Sequence, residues 1–167
     1  MKTLNLKTSE EIECIRESAL IVSKTLGMLA AELKPGISTL KLDGLAETFI
    51  RDHGAVPGFL GLYDFPNTLC VSPNTQVVHG IPNDTPLENG DIISIDCGAL
   101  KNEFYGDHAY TFAVGEIASE LKSSWRLPKR LFTRVSGLLK KITALAMLAM
   151  PFKITVSLLD MVWSENW

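Results

Sequence analysis

Apolar positions recur at helical spacing early in the chain and alternate at strand spacing further on. Ile12, Ile15, Ala19, Val22, Leu26 and Leu29 fall on one helical stripe. Thr8 or Ser9 can cap this helix, and Glu10, Glu11 and Glu13 place carboxylates in its first turn, where they suit the dipole. Pro35-Gly36 stops it. A second helix starts at Ser38, carries Leu42, Leu45, Ala46, Phe49 and Ile50, and ends before Gly54. A loop-rich stretch follows, with short strands predicted at 68–71 and 76–79. Two longer strands, 91–99 and 104–114, are rich in Ile, Phe, Tyr and Val. Two helices followed by a strand layer make an α+β unit, two helices packed on an antiparallel sheet.

Composition divides the 167 residues in two. Residues 1–121 hold 8 Lys+Arg against 17 Asp+Glu and 11 of the 12 glycines. Residues 122–167 hold 8 Lys+Arg against 2 Asp+Glu, all three tryptophans and almost no turn residues. In this second piece Leu138, Leu139, Ile142, Leu145, Ala146 and Leu148 keep roughly helical spacing until Pro151 interrupts it. The boundaries read as a folded unit at 1–121 and a tail at 122–167 with no domain assigned, irregular or helical. The net charge of −3 offers no global field for nucleic acid or anionic lipid, so neither DNA nor membrane is an expected partner. Three cysteines without zinc-type spacing suit reduced thiols, and the polar start lacks a secretory apolar core. The longest apolar run, 142–152, is about half of the ~20 residues that a membrane span needs. The expected location is cytoplasmic.

Candidate chemistry sits on the two long strands. Folding them about a turn at Lys101-Asn102 sets Asp96 directly opposite Asp107. It places Ile92, Ser94, Asp96 and Gly98 on one face with Tyr105, Asp107, Ala109 and Thr111. Opposed like charges repel, so either one carboxyl is protonated or a cation binds both. The alternative is a turn position for Asp107 and a solvated Asp96. His79 follows Val77-Val78 and precedes Gly80-Ile81-Pro82, so it ends a strand at a tight turn; a lone histidine there is more often structural than catalytic. His108 alternates to the other sheet face and is a poor partner ligand, and His53 reads as a helix cap. Phe59, Leu62, Tyr63, Phe65 and Cys70 form an apolar, aromatic group that reads either as core or as a pocket for an apolar side chain. Nothing marks Cys70 or Cys97 as a reactive thiol.

In order and spacing, NTLCVSPNTQVVHGIPND followed by LENGDIISIDCGALKNEFYGDHAYTFAVGE resembles the first half of the type I methionine aminopeptidases, metallopeptidases of family M24. The resemblance covers residues 1–121. It implies one half of a pita-bread fold and removal of the N-terminal methionine from nascent proteins. Asp96 and Asp107 would be ligands of a dinuclear centre of Mn, Fe, Co or Zn. His79 would contact substrate near the scissile amide, and Phe59, Leu62, Phe65 and Cys70 would hold the methionine side chain. Partners would be peptide and nascent-protein N-termini, and the ribosome.

The family's second half supplies further histidine and glutamate ligands, whereas residues 122–167 contain no histidine and one glutamate, Glu165. Reading the last base of each codon with the first two of the next, residues 148–154 permit the string G-Y-A-I-Q-N. Residues 161–167 permit G-V-V-R-E-L in the same shifted frame. Both strings look like second-half segments of the family. The expectation is therefore a truncated, frame-shifted relative with an incomplete metal site and little activity. Two alternatives belong to other classes: a non-catalytic pita-bread half that binds a peptide or partner, and a basic-tail module on ribosomal RNA.

Overall fold

The computed structural model describes residues 6–122, and the tail predicted at 122–167 lies, apart from Lys122, outside the described residues. By its contacts the chain divides into units Met1–Ile117 and Ala118–Trp167. The first unit carries the whole architecture described below.

Helix α1 (Ser9–Glu32) opens on a capping box. The Thr8 hydroxyl accepts the Glu11 N–H at 3.2 Å and the Glu11 carboxylate accepts the Thr8 N–H at 2.8 Å, so two otherwise unpaired donors are satisfied. Helix α2 (Thr39–Asp52) starts at Ser38, whose hydroxyl accepts the Lys41 N–H, and ends at His53. The His53 ring lies stacked on Phe49, 4.2 Å between centroids, with Nδ1 2.8 Å from the Phe49 carbonyl. That is the capping role expected of it.

Four antiparallel strands follow: β1 (Val56–Pro57), β2 (Leu69–Pro73), β3 (Ile92–Lys101) and β4 (Phe104–Ala113). Strand β3 is central. Strand β4 runs along one side of it, while β2 and β1 share the other, opposite residues 93–97 and 99–100. Strand alternation sends Ile93, Ile95, Cys97 and Ala99 to the helix side, where all four are fully buried with Val22, Leu29, Leu42, Ile50, Leu69 and Val71. Gly106 sits under α1 where a Cβ would fall 2.5 Å from the Ala19 amide nitrogen. The Ser18 hydroxyl donates to the Phe104 carbonyl at 2.8 Å, fixing the helix to the end of the β3–β4 hairpin.

Two local expectations are corrected. Residues 76–79 form no strand; Val77 and Val78 are exposed in a loop and His79 has left-handed backbone, φ 57°. The hairpin turns at Asn102-Glu103, both with positive φ, and not at Lys101-Asn102. Two consecutive left-handed residues give the primed turn whose twist matches a hairpin. Asn102 is held there by the Glu17 carboxylate, which accepts its side-chain N–H at 2.9 Å.

Candidate active site

Moving the turn by one residue moves the strand register by two. Asp96 therefore faces Ala109, and Asp107 faces Gly98, so the aspartates are diagonal neighbours and not directly opposed. A shift of two preserves sheet face, so both still project from the face away from the helices. The diagonal places them ~7–8 Å apart at the backbone, within reach of one another's carboxylates. Their direct partners, a glycine and an alanine, add almost no bulk between them.

Asp96 is half-buried and its Oδ1 is wholly enclosed without a hydrogen-bond partner. Its pKa is raised, first by burial and then by the negative charge of Asp107; the His79 charge and the Cys97 N–H offset part of this. An orphaned carboxylate oxygen beside a second carboxylate is a hard, anionic donor pair that suits a divalent cation. Among the described residues no third His, Cys, Asp or Glu joins them in a metal-binding group. The residues thus fit part of a metal site.

The neighbouring side chains arrive from three segments. Strand β2 brings Cys70 directly opposite Asp96, on the same face. Strand β2 is itself anchored at its start by Asp43 of α2, whose carboxylate accepts the Thr68 and Leu69 N–H groups at 3.0 and 2.8 Å and the Asn67 side-chain amide at 2.9 Å. The loop after β1 lays the Phe59 ring over Gly98, 2.7 Å from where a Cβ would stand, while the Gly58 N–H donates to the Gly98 carbonyl at 2.8 Å. Leu62 is exposed and Phe65 half-buried, and neither they nor Phe59 belong to the buried core cluster. Cys70, by contrast, is buried. His108 lies opposite Cys97 and away from the aspartates, as alternation requires. An open cleft of about 710 Å³ at the start of α2, lined by Lys34, Ser38, Lys41 and Asp84 among others, has none of these residues in its lining.

Sequence reasoning missed Asp43 as a buried anchor, Gly98 as the seat of Phe59, and Ser72, whose hydroxyl accepts the Gly80 N–H next to His79. Only Gly98, a glycine inside an apolar strand, left a signal in the sequence.

The site also makes a prediction about thiols. Burial, with the Asp96 and Asp107 charges behind it, pushes Cys70 up to about 11 and Cys97 up to about 12. Cys70 is therefore held mainly as the thiol at pH 8. Alkylation by iodoacetamide at pH 8 followed by peptide mass mapping should label the half-exposed Cys14 well before Cys70 or Cys97. Faster labelling at Cys70 than at Cys14 would show its surroundings to be more open or less acidic than described.

The profile of "Metallopeptidase family M24" matches residues 13–158. A methionine aminopeptidase of Clostridium perfringens is 46% identical over 127 residues, 76% of this chain and 51% of the relative. Among solved structures, methionine aminopeptidase from Rickettsia prowazekii superposes with a TM-score of 0.71 at 35% identity, over 72% of this chain and 49% of that one. That from Thermotoga maritima gives 0.75 at 29% identity, over 79% and 53%. This chain spans about half the length of the curated relatives it matches. On the match of the family profile to most of its length, the chain belongs to metallopeptidase family M24.

Proposed function

We propose that this chain is the half of a methionine aminopeptidase that presents two metal-binding carboxylates and the methionine pocket. The observation that carries the reading is the buried, unpartnered Oδ1 of Asp96 diagonal to Asp107 on a sheet face away from the core. Asp96 and Asp107 would hold the divalent cations, Mn, Fe, Co or Zn. When bound, such cations supply Lewis acidity for amide hydrolysis. His79 would hydrogen-bond near the scissile amide of the substrate. Phe59, Leu62, Phe65 and Cys70 would hold the methionine side chain and exclude water from it; a neutral Cys70 thiol suits an apolar thioether neighbour. The substrates are the N-termini of peptides and nascent proteins, met in the cytoplasm, with the ribosome as a further partner.

Acting alone, the chain offers each cation too few ligands, so little or no methionine should be released from a Met-Ala-type peptide with Mn²⁺ or Co²⁺. The peptide should nonetheless perturb the Phe59 and Phe65 ring signals in an NMR titration with Mg²⁺ as diamagnetic cation, and an Ala-Ala peptide should not. Equal response to both peptides, or to neither, would overturn the pocket assignment. Robust, chelator-sensitive methionine release would overturn the half-site reading and, with it, the alternative of a non-catalytic binding module.

The same proposal places residues 122–167 in a frame shifted relative to the family, with the change of frame near residues 121–123. The family profile continues to residue 158, so the nucleotide sequence decides between a shifted frame and a diverged second half. The shifted frame should encode G-Y-A-I-Q-N and G-V-V-R-E-L, and its failure to do so removes the frame reading.

A further inference from the structure

His79 occupies a left-handed backbone conformation, φ 57°, on an exposed loop. A non-glycine residue pays for that conformation in strain, and histidine is only moderately tolerant of it, so the surrounding contacts must over-determine the backbone there. The loop has little of its own to do this, since Val77, Val78 and Ile81 are exposed. The restraint comes instead from the next residue. The Gly80 N–H donates to the Ser72 hydroxyl at 3.1 Å, and the Gly80 carbonyl accepts the Val71 N–H at 2.8 Å. Both backbone polar groups of Gly80 are thus tied to adjacent residues of β2. The approach is close enough that a Cβ on Gly80 would overlap the Val71 carbonyl oxygen and fall 2.7 Å from the Gln76 side-chain oxygen. Ser72 itself is 4% exposed, lies opposite Ser94, and shares the sheet face of Cys70 and Asp96.

We propose that Ser72 is a positioning residue for His79: its buried hydroxyl latches Gly80 to β2 and so fixes where the imidazole stands relative to Asp96. The inference rests on the reading of His79 as a substrate contact, but the latch is a claim about geometry and can be judged separately. Strand β2 then serves the site twice, carrying Cys70 opposite Asp96 and aiming the histidine from the adjacent loop. A loop histidine without such a tether would sample many orientations, and the geometry required of a group at a scissile bond would be lost.

The test uses the full chain and its Ser72→Ala variant, a small deletion that leaves the apolar surroundings of β2 intact. The three histidines give three ring signals in a ¹H–¹³C spectrum, with His53 and His108 as internal controls. The expected result is that the His79 signal alone moves toward its unstructured position, while Gly80 amide exchange becomes at least about tenfold faster. An unmoved His79 signal, a common shift of all three histidines, or an unchanged Gly80 exchange rate would each overturn the proposal. Neither measurement involves substrate, turnover or a bound cation, so the latch stands or falls separately from the role of His79 toward substrate.

Discussion

Asp43→Ala should lower the unfolding free energy by about 3–4 kcal/mol, because it strands three donors that a single buried carboxylate now satisfies. The Thr68 and Leu69 N–H groups lie at the start of β2, and the Asn67 amide precedes them; all three converge on the same side chain. Hydrogen bonds to a charged acceptor contribute more than neutral ones, and buried donors left without a partner carry their full desolvation cost. A domain with a total stability of ~5–15 kcal/mol would lose a large part of it. Asp43→Asn should lose less, since its carbonyl oxygen can still accept a backbone N–H while its NH₂ confronts the Asn67 amide. Urea unfolding of the three proteins checks this, read from the midpoint at constant slope. A loss below about 1 kcal/mol for Asp43→Ala would mean that water or a rearranged β2 satisfies those donors. Cys70 lies one residue beyond Leu69, so the same substitution should also loosen the wall of the proposed pocket.

If Asp96 and Asp107 hold a divalent cation as proposed, Asp96→Asn should abolish the stabilisation that the cation gives, while raising the stability of the metal-free chain. Both effects have one origin. In the folded state burial and the charge of Asp107 disfavour ionisation of Asp96, so its pKa stands above the unfolded value. Between those two values the folded state binds the proton more tightly than the unfolded state does. Metal-free stability should therefore fall as pH rises from the ordinary carboxylate range through the raised Asp96 value, and level off above it. A bound cation neutralises the pair and should reverse that loss, in proportion to the logarithm of its concentration above Kd. Asparagine cannot ionise, so the variant should show a flatter pH profile and no Mn²⁺-dependent rise in melting temperature. Thermal melts across pH 4–8, with and without Mn²⁺, test both arms. A variant that keeps the full Mn²⁺ shift would place the cation elsewhere. Asp107→Asn should relieve the repulsion from the other side and remove most of the same shift.

Much of the α+β unit could be read from local pattern. The stripe from Ile12 to Leu29, the Thr8–Glu11 box and the Ser38 cap are contained within a few residues of chain, and helices with such signals form where they are expected. The two long strands were equally legible from their alternation. By contrast, the 76–79 segment looked like a strand because Val77-Val78 are β-branched. Its backbone instead follows the tether of Gly80 to β2, eight residues back at Ser72, and propensity alone does not encode such a contact. The hairpin register was missed by two for a similar reason. Asn102-Glu103 lacks the usual glycine, and the turn is held by Ser18 and Glu17, 86 and 85 residues away along the chain.

Strand alternation, legible in the sequence, already put Asp96 and Asp107 on one sheet face. Side-chain direction repeats every two residues, so a register error of two leaves the faces unchanged. The same alternation set the apolar pattern that separates the helix-facing residues Ile93, Ile95 and Cys97 from the carboxylates. Long-range packing was needed to make the pair diagonal, to enclose Asp96 Oδ1 without a partner and to rest Phe59 on Gly98. It alone decided that Asp43 anchors β2 and that Ser72 tethers the loop of His79. The difference is one of range. Period and capping are local properties of the chain, whereas orphaned oxygens, left-handed non-glycine residues and buried anchors exist only once distant segments have packed and closed off the water that would otherwise satisfy them.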